Sequence, residues 1–263
     1  MDGPILEILV TTHGADGLRR VGEMRLPEVP GVRYLVSCQS KPVPIPESLG
    51  SRAADIDTRF IDGTGLSANR NALLDRATAP LVMFADNDLT LKAEWIEAMI
   101  KTMDENPGLD GACFQPQDKL RPYPAEPYML KAHASPYHYV PIYELVFRRE
   151  ALTATGVRFS LRMGINAPYL HSGEDDLFLY KILCKGLRVK YFPIATYNHP
   201  HLSTGFRHQR PGVLRSRGAV LQTMYPLTAV PRMFRLACKL PQRTLPAFGH
   251  MLEGAVYAVT HRL

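Results

Sequence analysis

Short runs of apolar, β-branched residues alternate with longer helical segments through the first two thirds of the chain, and this alternation constrains the fold most strongly. The runs lie at residues 5–12, 32–38 and 81–86, with polar or amphipathic segments between them. Strands that alternate with helices form βαβ units, whose strands lie in a parallel sheet. The sequence therefore predicts an α/β fold with a mostly parallel, Rossmann-like central sheet and flanking helices.

Apolar periodicity predicts the helices between and after these strands. Residues 91–106 place large apolar side chains at spacings of three and four, which is typical of a helix with one buried face. Further helices are predicted at residues 70–79 and 174–186, the second followed by a strand at 188–199. Residues 115–141 are rich in Pro, Tyr and His, so we expect loops and edge strands there, forming one wall of a cleft.

Length and cysteine usage limit the class of protein. A chain of 263 residues fits one α/β domain with an appendage. The four cysteines are far apart and include no CxxC pair, which argues against a disulfide framework and favours a reducing compartment. The amino terminus lacks the features of a signal peptide, and no stretch approaches the roughly 18 apolar residues of a membrane span. We therefore expect a cytoplasmic protein.

The positive charge is concentrated at the end of the chain. Of its 31 Lys and Arg residues, nine lie in residues 202–263, which contain a single acidic residue, Glu253. We place a boundary near residue 205, with a basic helical extension at residues 206–263. Two interpretations have equal weight: the extension docks on an anionic membrane surface at the inner face of the membrane, or it is a lid packed on the rest of the protein. Aromatic residues are not interleaved with this charge, so no nucleic-acid partner is expected.

The first motif is Asp86-Asn87-Asp88, which directly follows the apolar run at residues 81–85. A parallel strand that ends in carboxylates points them into the crevice where α/β folds bind ligands. Two carboxylates at this spacing suit a hard divalent cation that also takes diphosphate oxygens. The alternative is a strand-end turn in which Asp88 caps a helix at Leu91.

The second motif is the segment at residues 65–71, which contains Ser67, Asn69 and Arg70. Ser67 is positioned to cap a helix whose first turn presents Arg70, and a helix amino terminus with an arginine is an anion site. An ordinary capped surface helix is the competing interpretation. The acidic pair about 16 residues later favours the anion site.

The third motif is Glu174-Asp175-Asp176, which lies between a glycine-bearing loop at residues 163–173 and an apolar helical segment. A carboxylate aimed from this position into the cleft is suited to act as a general base. The competing interpretation is an acidic first turn that the helix macrodipole stabilises. Either Glu174 or Asp175 satisfies the requirement for one base.

The fourth motif ends the strand predicted at residues 188–199, where His199 and His201 are separated only by a proline. A neutral imidazole completes a metal shell that carboxylates begin. Either histidine fits this role, and His199 is nearer the strand.

Taken in order, these segments resemble family 2 glycosyltransferases of the GT-A fold. The resemblance covers about residues 5–205, and residues 157–193 look like a subgroup of small bacterial enzymes of surface-polysaccharide assembly. It implies a catalytic domain at residues 1–205. The segments that carry it are residues 8–13, 65–77, 83–88, 173–178 and 197–201.

The resemblance implies a role for each matched residue. Thr11 and Thr12 would line the nucleotide pocket, Arg70 would approach the diphosphate, and Asp86 would face the ribose or sugar. Asp88 would bind Mn2+ or Mg2+ with Asp86 as a second acidic ligand, and His199 or His201 would be the remaining ligand. Glu174 or Asp175 would be the base, with Asp175 favoured.

Gln39 marks a departure from the family pattern. Many relatives carry an acidic pair after the second strand, one member of which binds uracil, whereas this chain has Ser37-Cys38-Gln39-Ser40. A Gln amide offers both a donor and an acceptor to uracil.

Together these features predict an inverting, metal-dependent transferase that moves a sugar from a nucleotide-sugar donor, UDP-linked by default, to a saccharide or lipid-linked saccharide acceptor. The alternatives are a sugar-phosphate nucleotidyltransferase and a carbohydrate-binding module without catalytic activity.

Overall fold

A computed structural model describes residues 3–119, 121–133, 140–199, 210–240 and 244–263. Its strands form one eight-stranded sheet. The strands are β1 (Leu6–His13), β2 (Val32–Gln39), β3 (Ile56–Ile61), β4 (Leu81–Ala85), β5 (Gly111–Pro116), β6 (Tyr128–Met129), β7 (Leu145–Arg148) and β8 (Val189–Tyr197).

The strand order is β3-β2-β1-β4-β7-β5-β8-β6. β3, β2, β1 and β4 are parallel neighbours, as are β5 and β8, whereas β7 and the short edge strand β6 run antiparallel to their neighbours. The predicted α/β fold with a mostly parallel sheet is therefore confirmed, and so is an edge strand within residues 115–141.

The helices cover the sheet and follow the predicted pattern. A short 3-10 turn at Ile142–Glu144 precedes β7. The helices are α1 (Gly14–Glu23), α2 (Glu47–Gly50), α3 (Leu66–Arg76), α4 (Ala93–Glu105), α5 (Arg149–Ala154), α6 (Glu174–Cys184), α7 (Pro211–Met224), α8 (Ala229–Ala237) and α9 (Thr244–His261).

Both faces of the sheet are buried, which explains the continuous apolar runs. In β1, Leu6, Ile8 and Val10 point into a core on one face, and Leu9 points into a core on the other. A strand buried on both sides needs apolar residues at successive positions. Polar residues such as Thr11, Thr12 and Gln39 lie toward the carboxyl ends of β1 and β2.

The structure contradicts two interpretations of residues as helix caps. α4 begins after Lys92, so Asp88 does not cap it. Gly65 precedes α3, and Ser67 lies inside the first turn, where its hydroxyl donates to the carbonyl oxygen of Met163 at 2.8 Å. The left-handed φ of Gly65, +110°, favours glycine at that position.

The carboxyl-terminal helices pack onto the rest of the molecule. Met163, Leu170 and Leu177 share a buried cluster with side chains of α7 and α9. The boundary expected near residue 205 lies outside the described residues. None of the described helices is long and apolar enough to cross a membrane.

Candidate active site

β1, β2 and β4 end side by side, and the polar residues at their ends lie at the carboxyl edge of the sheet, where the crevice is predicted. Asn87 donates to the hydroxyl of Thr12 at 2.8 Å, which ties the segment after β4 to β1. Asn69 on α3 donates to the carbonyl oxygens of Thr12 and Ser37, at 3.1 and 3.0 Å. Thr11 is buried beside them. α3 therefore fixes the ends of neighbouring strands relative to each other.

Arg70 is at the centre of the site. Only 2% of it is exposed; Nη1 donates to Asp175 Oδ1 at 2.5 Å, and Nη2 donates to Asp86 Oδ1 at 3.1 Å. Glu174 Oε1 lies 3.6 Å from Nη1. A buried guanidinium requires such partners, because its isolated charge is costly to remove from water. This one side chain joins three of the sequence motifs.

Glu174 and Asp175 are buried in the first turn of α6, rather than exposed as an ordinary acidic turn would be. Burial raises the pKa of Glu174 from 4.5 to about 7; the charge of Asp175 adds to the increase and Arg70 opposes it. Burial also raises the pKa of Asp175, again opposed by Arg70. Asp175 Oδ2 accepts from the backbone N–H of Ile142 at 3.2 Å. A carboxylate with a raised pKa is a stronger base than an exposed one.

Asp88 and His199 meet just beyond the carboxyl end of β4. His199 Nε2 lies 3.4 Å from Asp88 Oδ1. Two backbone hydrogen bonds between Thr90 and Asn198, of 2.8 and 2.9 Å, hold the two segments together. The His199 ring stacks on Tyr143, with 5.2 Å between ring centroids. His201, the other candidate histidine, lies outside the described residues.

The donor atoms near Asp88 decide what kind of metal site is available. No group of three or more His, Cys, Asp and Glu side chains with metal-binding geometry occurs in the described ranges. Asp86 directs one oxygen to Arg70, which leaves Asp88 and His199 as a two-residue donor set. Such a set fits Mg2+ or Mn2+, because an ion of this kind would take its other ligands from phosphate oxygens and water.

Gln39, at the end of β2, is 4% exposed, and its Nε2 has no hydrogen-bond partner in the described part of the chain. The nearby Ser37 hydroxyl is also buried without a partner there. Buried polar atoms are normally paired, so these two point to a polar ligand at the end of β2.

Sequence reasoning missed a buried network around Glu144. Arg121 Nη2 donates to both of its carboxylate oxygens, at 3.1 and 3.2 Å, and the hydroxyls of Tyr123 and Tyr197 donate to Oε1 at 2.5 and 2.8 Å. Through this network, Arg121 and Tyr123 of the Pro- and Tyr-rich segment at residues 115–141 are held against the sheet, next to Tyr143. A glutamate before the apolar residues of β7 was the available signal, but its partners are 21 to 53 residues away in sequence.

Comparisons with known proteins identify sequences and structures that this chain is similar to. Residues 55–170 match the family model described as Glycosyl transferase family 2. A pre-mycofactocin glycosyltransferase of Mycobacterium tuberculosis is 26% identical over 216 residues, which cover 74% of this chain and 42% of that protein. The chain therefore spans less than half the length of this curated relative.

Solved structures share the fold. S. aureus TarS 1-349 in complex with UDP-GlcNAc superposes with a TM-score of 0.58 at 15% identity, covering 82% of this chain and 66% of that one. A mannosyltransferase from Pyrobaculum calidifontis in complex with GDP-Man and Mn2+ gives a TM-score of 0.57 at 15% identity, covering 98% and 76%.

Proposed function

We propose that this chain, of which residues 55–170 match the family model for glycosyl transferase family 2, transfers a sugar, with inversion, from a UDP-linked donor to a saccharide or lipid-linked saccharide acceptor in surface-polysaccharide synthesis. The observation that carries the proposal is the contact of the buried Arg70 with Asp86, Glu174 and Asp175. Through Arg70, Asp86 on the proposed donor side lies close to Asp175, the candidate base.

The donor lies across the ends of β1, β2 and β4 in this proposal. Thr11 and Thr12 line the nucleotide pocket, and the Gln39 amide, whose Nε2 has no partner among the described residues, bonds the base. Asp86, oriented by Arg70, faces the ribose or sugar. Two structurally similar proteins were solved in complex with UDP-GlcNAc and with GDP-Man, respectively. These complexes support the proposal of a nucleotide-sugar donor for this chain.

Asp88 and His199 hold Mn2+ or Mg2+ in this proposal. Their separation of 3.4 Å lets both contact one ion. When bound, the ion supplies positive charge that stabilises the departing diphosphate.

Asp175 acts as the base. Its carboxylate takes the proton of the acceptor hydroxyl while that oxygen bonds to the anomeric carbon and the bond to the diphosphate breaks. The pKa of Asp175 is raised by burial, which strengthens it as a base, and Arg70 holds it beside Asp86. Glu174 contributes to the same buried charge cluster.

An assay with purified protein, Mn2+, UDP-sugars and saccharide acceptors tests the function. We expect acceptor-dependent release of UDP and a product of inverted anomeric configuration by NMR. Retained configuration would overturn the mechanism. Formation of nucleotide sugar and pyrophosphate from a nucleoside triphosphate and a sugar 1-phosphate would instead indicate a nucleotidyltransferase, and saccharide binding without turnover a binding module.

We further propose that the extension docks on an anionic membrane at its inner face. The outward face of α9 is apolar: Leu245, Val256 and Val259 are 75%, 64% and 63% exposed. The ring of Phe248, on the same face, contacts Phe234 of α8, which is also exposed. Arg232 and Arg235 lie in α8, Lys239 lies just after the end of α8, and Arg262 follows the last residue of α9. An apolar helix face flanked by basic residues is the pattern of an interfacial helix.

Vesicle sedimentation tests the docking. We expect the protein to pellet with phosphatidylglycerol vesicles and not with phosphatidylcholine vesicles, and Val256→Asp to abolish pelleting. Thr153→Asp, which adds the same charge at an exposed position of α5, outside the extension, serves as the control. If Val256→Asp pellets like the unmodified protein, the face does not bind lipid. A dimer that dissociates in this variant would identify a second copy as the occupant.

A further inference from the structure

The backbone that leads into the candidate base is held by α7. The Ser216 hydroxyl accepts a hydrogen bond from the backbone N–H of Ser172 at 3.1 Å and donates to the carbonyl oxygen of Gly212 at 2.8 Å. The backbone N–H of His171 donates to the same carbonyl at 3.3 Å. Ser216 is 1% exposed, so water does not compete for these bonds. Two consecutive residues of the loop before Glu174 are therefore bonded to one turn of α7.

Gly173, the last residue before α6, also packs against α7. Its φ is +83°, a left-handed conformation that favours glycine. A Cβ there would lie 2.9 Å from Cγ2 of Val220 and 3.0 Å from Cε of Met163. α7 therefore packs directly on the residue from which α6 starts, and a displacement of α7 would be transmitted to Glu174 and Asp175.

α7 is itself fixed by α9. A Cβ on Gly218 would lie 1.8 Å from the carbonyl oxygen of Met251, and one on Gly254 would lie 1.8 Å from that of Arg215. The two helix backbones are thus in direct contact at both glycines. The Arg215–Glu253 ion pair, with 2.7 Å between Nε and Oε2, adds a bond on the exposed side. Helices in such close contact move as one unit.

We infer that Ser216 is a positioning residue for the Glu174–Asp175 carboxylates, and that the turn of α7 at residues 212–216 supports the candidate active site rather than belonging to a separable extension. The inference rests on the proposed role of Asp175 as base. Ser216 contacts neither donor nor acceptor in this scheme. It acts by keeping residues 171–173, and with them the first turn of α6, at a fixed distance from Arg70.

Ser216→Ala tests the inference against Thr223→Ala as the matched control. The Thr223 hydroxyl also donates to a carbonyl one turn back in α7, that of Ala219 at 2.9 Å, but it holds no part of the loop before α6. We expect Ser216→Ala to lower kcat by about tenfold with the donor KM nearly unchanged, because misplacing a reacting group costs turnover more than binding. Thr223→Ala should keep the kcat of the unmodified protein. Equal kcat values in the two variants would overturn the inference.

Val220→Ala keeps the inference testable if Ser216→Ala does not fold. It removes the methyl groups that lie against Gly173 and should also reduce kcat with little change in donor KM, measured well below the melting temperature. An unchanged kcat would contradict the proposed role of α7 in positioning Glu174 and Asp175. Failure of the proposed function is distinguishable: if Asp175→Asn transfers sugar at the normal rate, the base assignment is wrong whatever the α7 variants do.

Discussion

The buried carboxyl of Glu174 provides a quantitative test of the electrostatics of the site. Its pKa is raised from 4.5 to about 7, first by burial, then by the charge of Asp175, with Arg70 opposing. Because the folded-state pKa is the higher one, the neutral carboxyl stabilises the fold: this contribution is fully present below pH 4.5 and is lost as the pH rises through about 7. Glu174→Gln keeps a neutral group of the same shape at every pH. The variant should therefore be the more stable protein in alkaline solution.

The magnitude follows from the size of the pKa change. At about 1.4 kcal/mol per pKa unit, a rise from 4.5 to about 7 corresponds to at most roughly 3 kcal/mol above pH 8. For a protein of this size this is a melting temperature higher by roughly 5–10 °C. At pH 5.5 the difference should be less than half as large, because the folded protein still binds the proton there.

Urea unfolding at pH 5.5 and at pH 8.5 measures the difference. Glu150→Gln, at an exposed position of α5, is the control, and its effect on the free energy of unfolding should be small at both pH values. If Glu174→Gln is less stable than the unmodified protein at pH 8.5, or if the difference does not change with pH, then Arg70 holds Glu174 ionised and the reasoning fails.

Other predictions concern donor binding, transfer and helix packing. Asp88→Ala should abolish the Mn2+ dependence of UDP-sugar binding in calorimetry, and a full Mn2+ response would remove Asp88 from the metal site. Asp175→Asn should leave donor affinity intact and slow transfer by about 10²–10⁴-fold in the same assay, as loss of a general base does; normal turnover would exclude it as the base. Gly218→Ala should destabilise the fold by more than about 2 kcal/mol, because its Cβ would lie 1.8 Å from the Met251 carbonyl oxygen. A Cβ added at Gly249 would meet no atom within 4 Å, so Gly249→Ala should be neutral or stabilising. Thermal unfolding of both variants measures the difference.

The fold class follows from local patterns that the sequence contains in full. Runs such as residues 81–85 are apolar at every position because both faces of a parallel strand are buried, and the spacing in residues 91–106 reports the single buried face of α4. The same logic places Asp86 and Asp88 at a carboxyl edge of the sheet. These features depend on neighbours a few residues away.

The contacts within the site depend on the tertiary structure. From the sequence alone, Arg70 is predicted to be an anion-binding residue at the start of a helix. In the fold it is buried and paired with Asp175, which is 105 residues later in the chain. The Glu144 network and the bond between Ser216 and Ser172 likewise join residues far apart in sequence. No local pattern encodes such pairs, because each partner looks like an ordinary polar residue until packing removes water from around it. Hydrophobic periodicity determines which elements form, but only the packed chain decides which charges meet and how far their pKa values move.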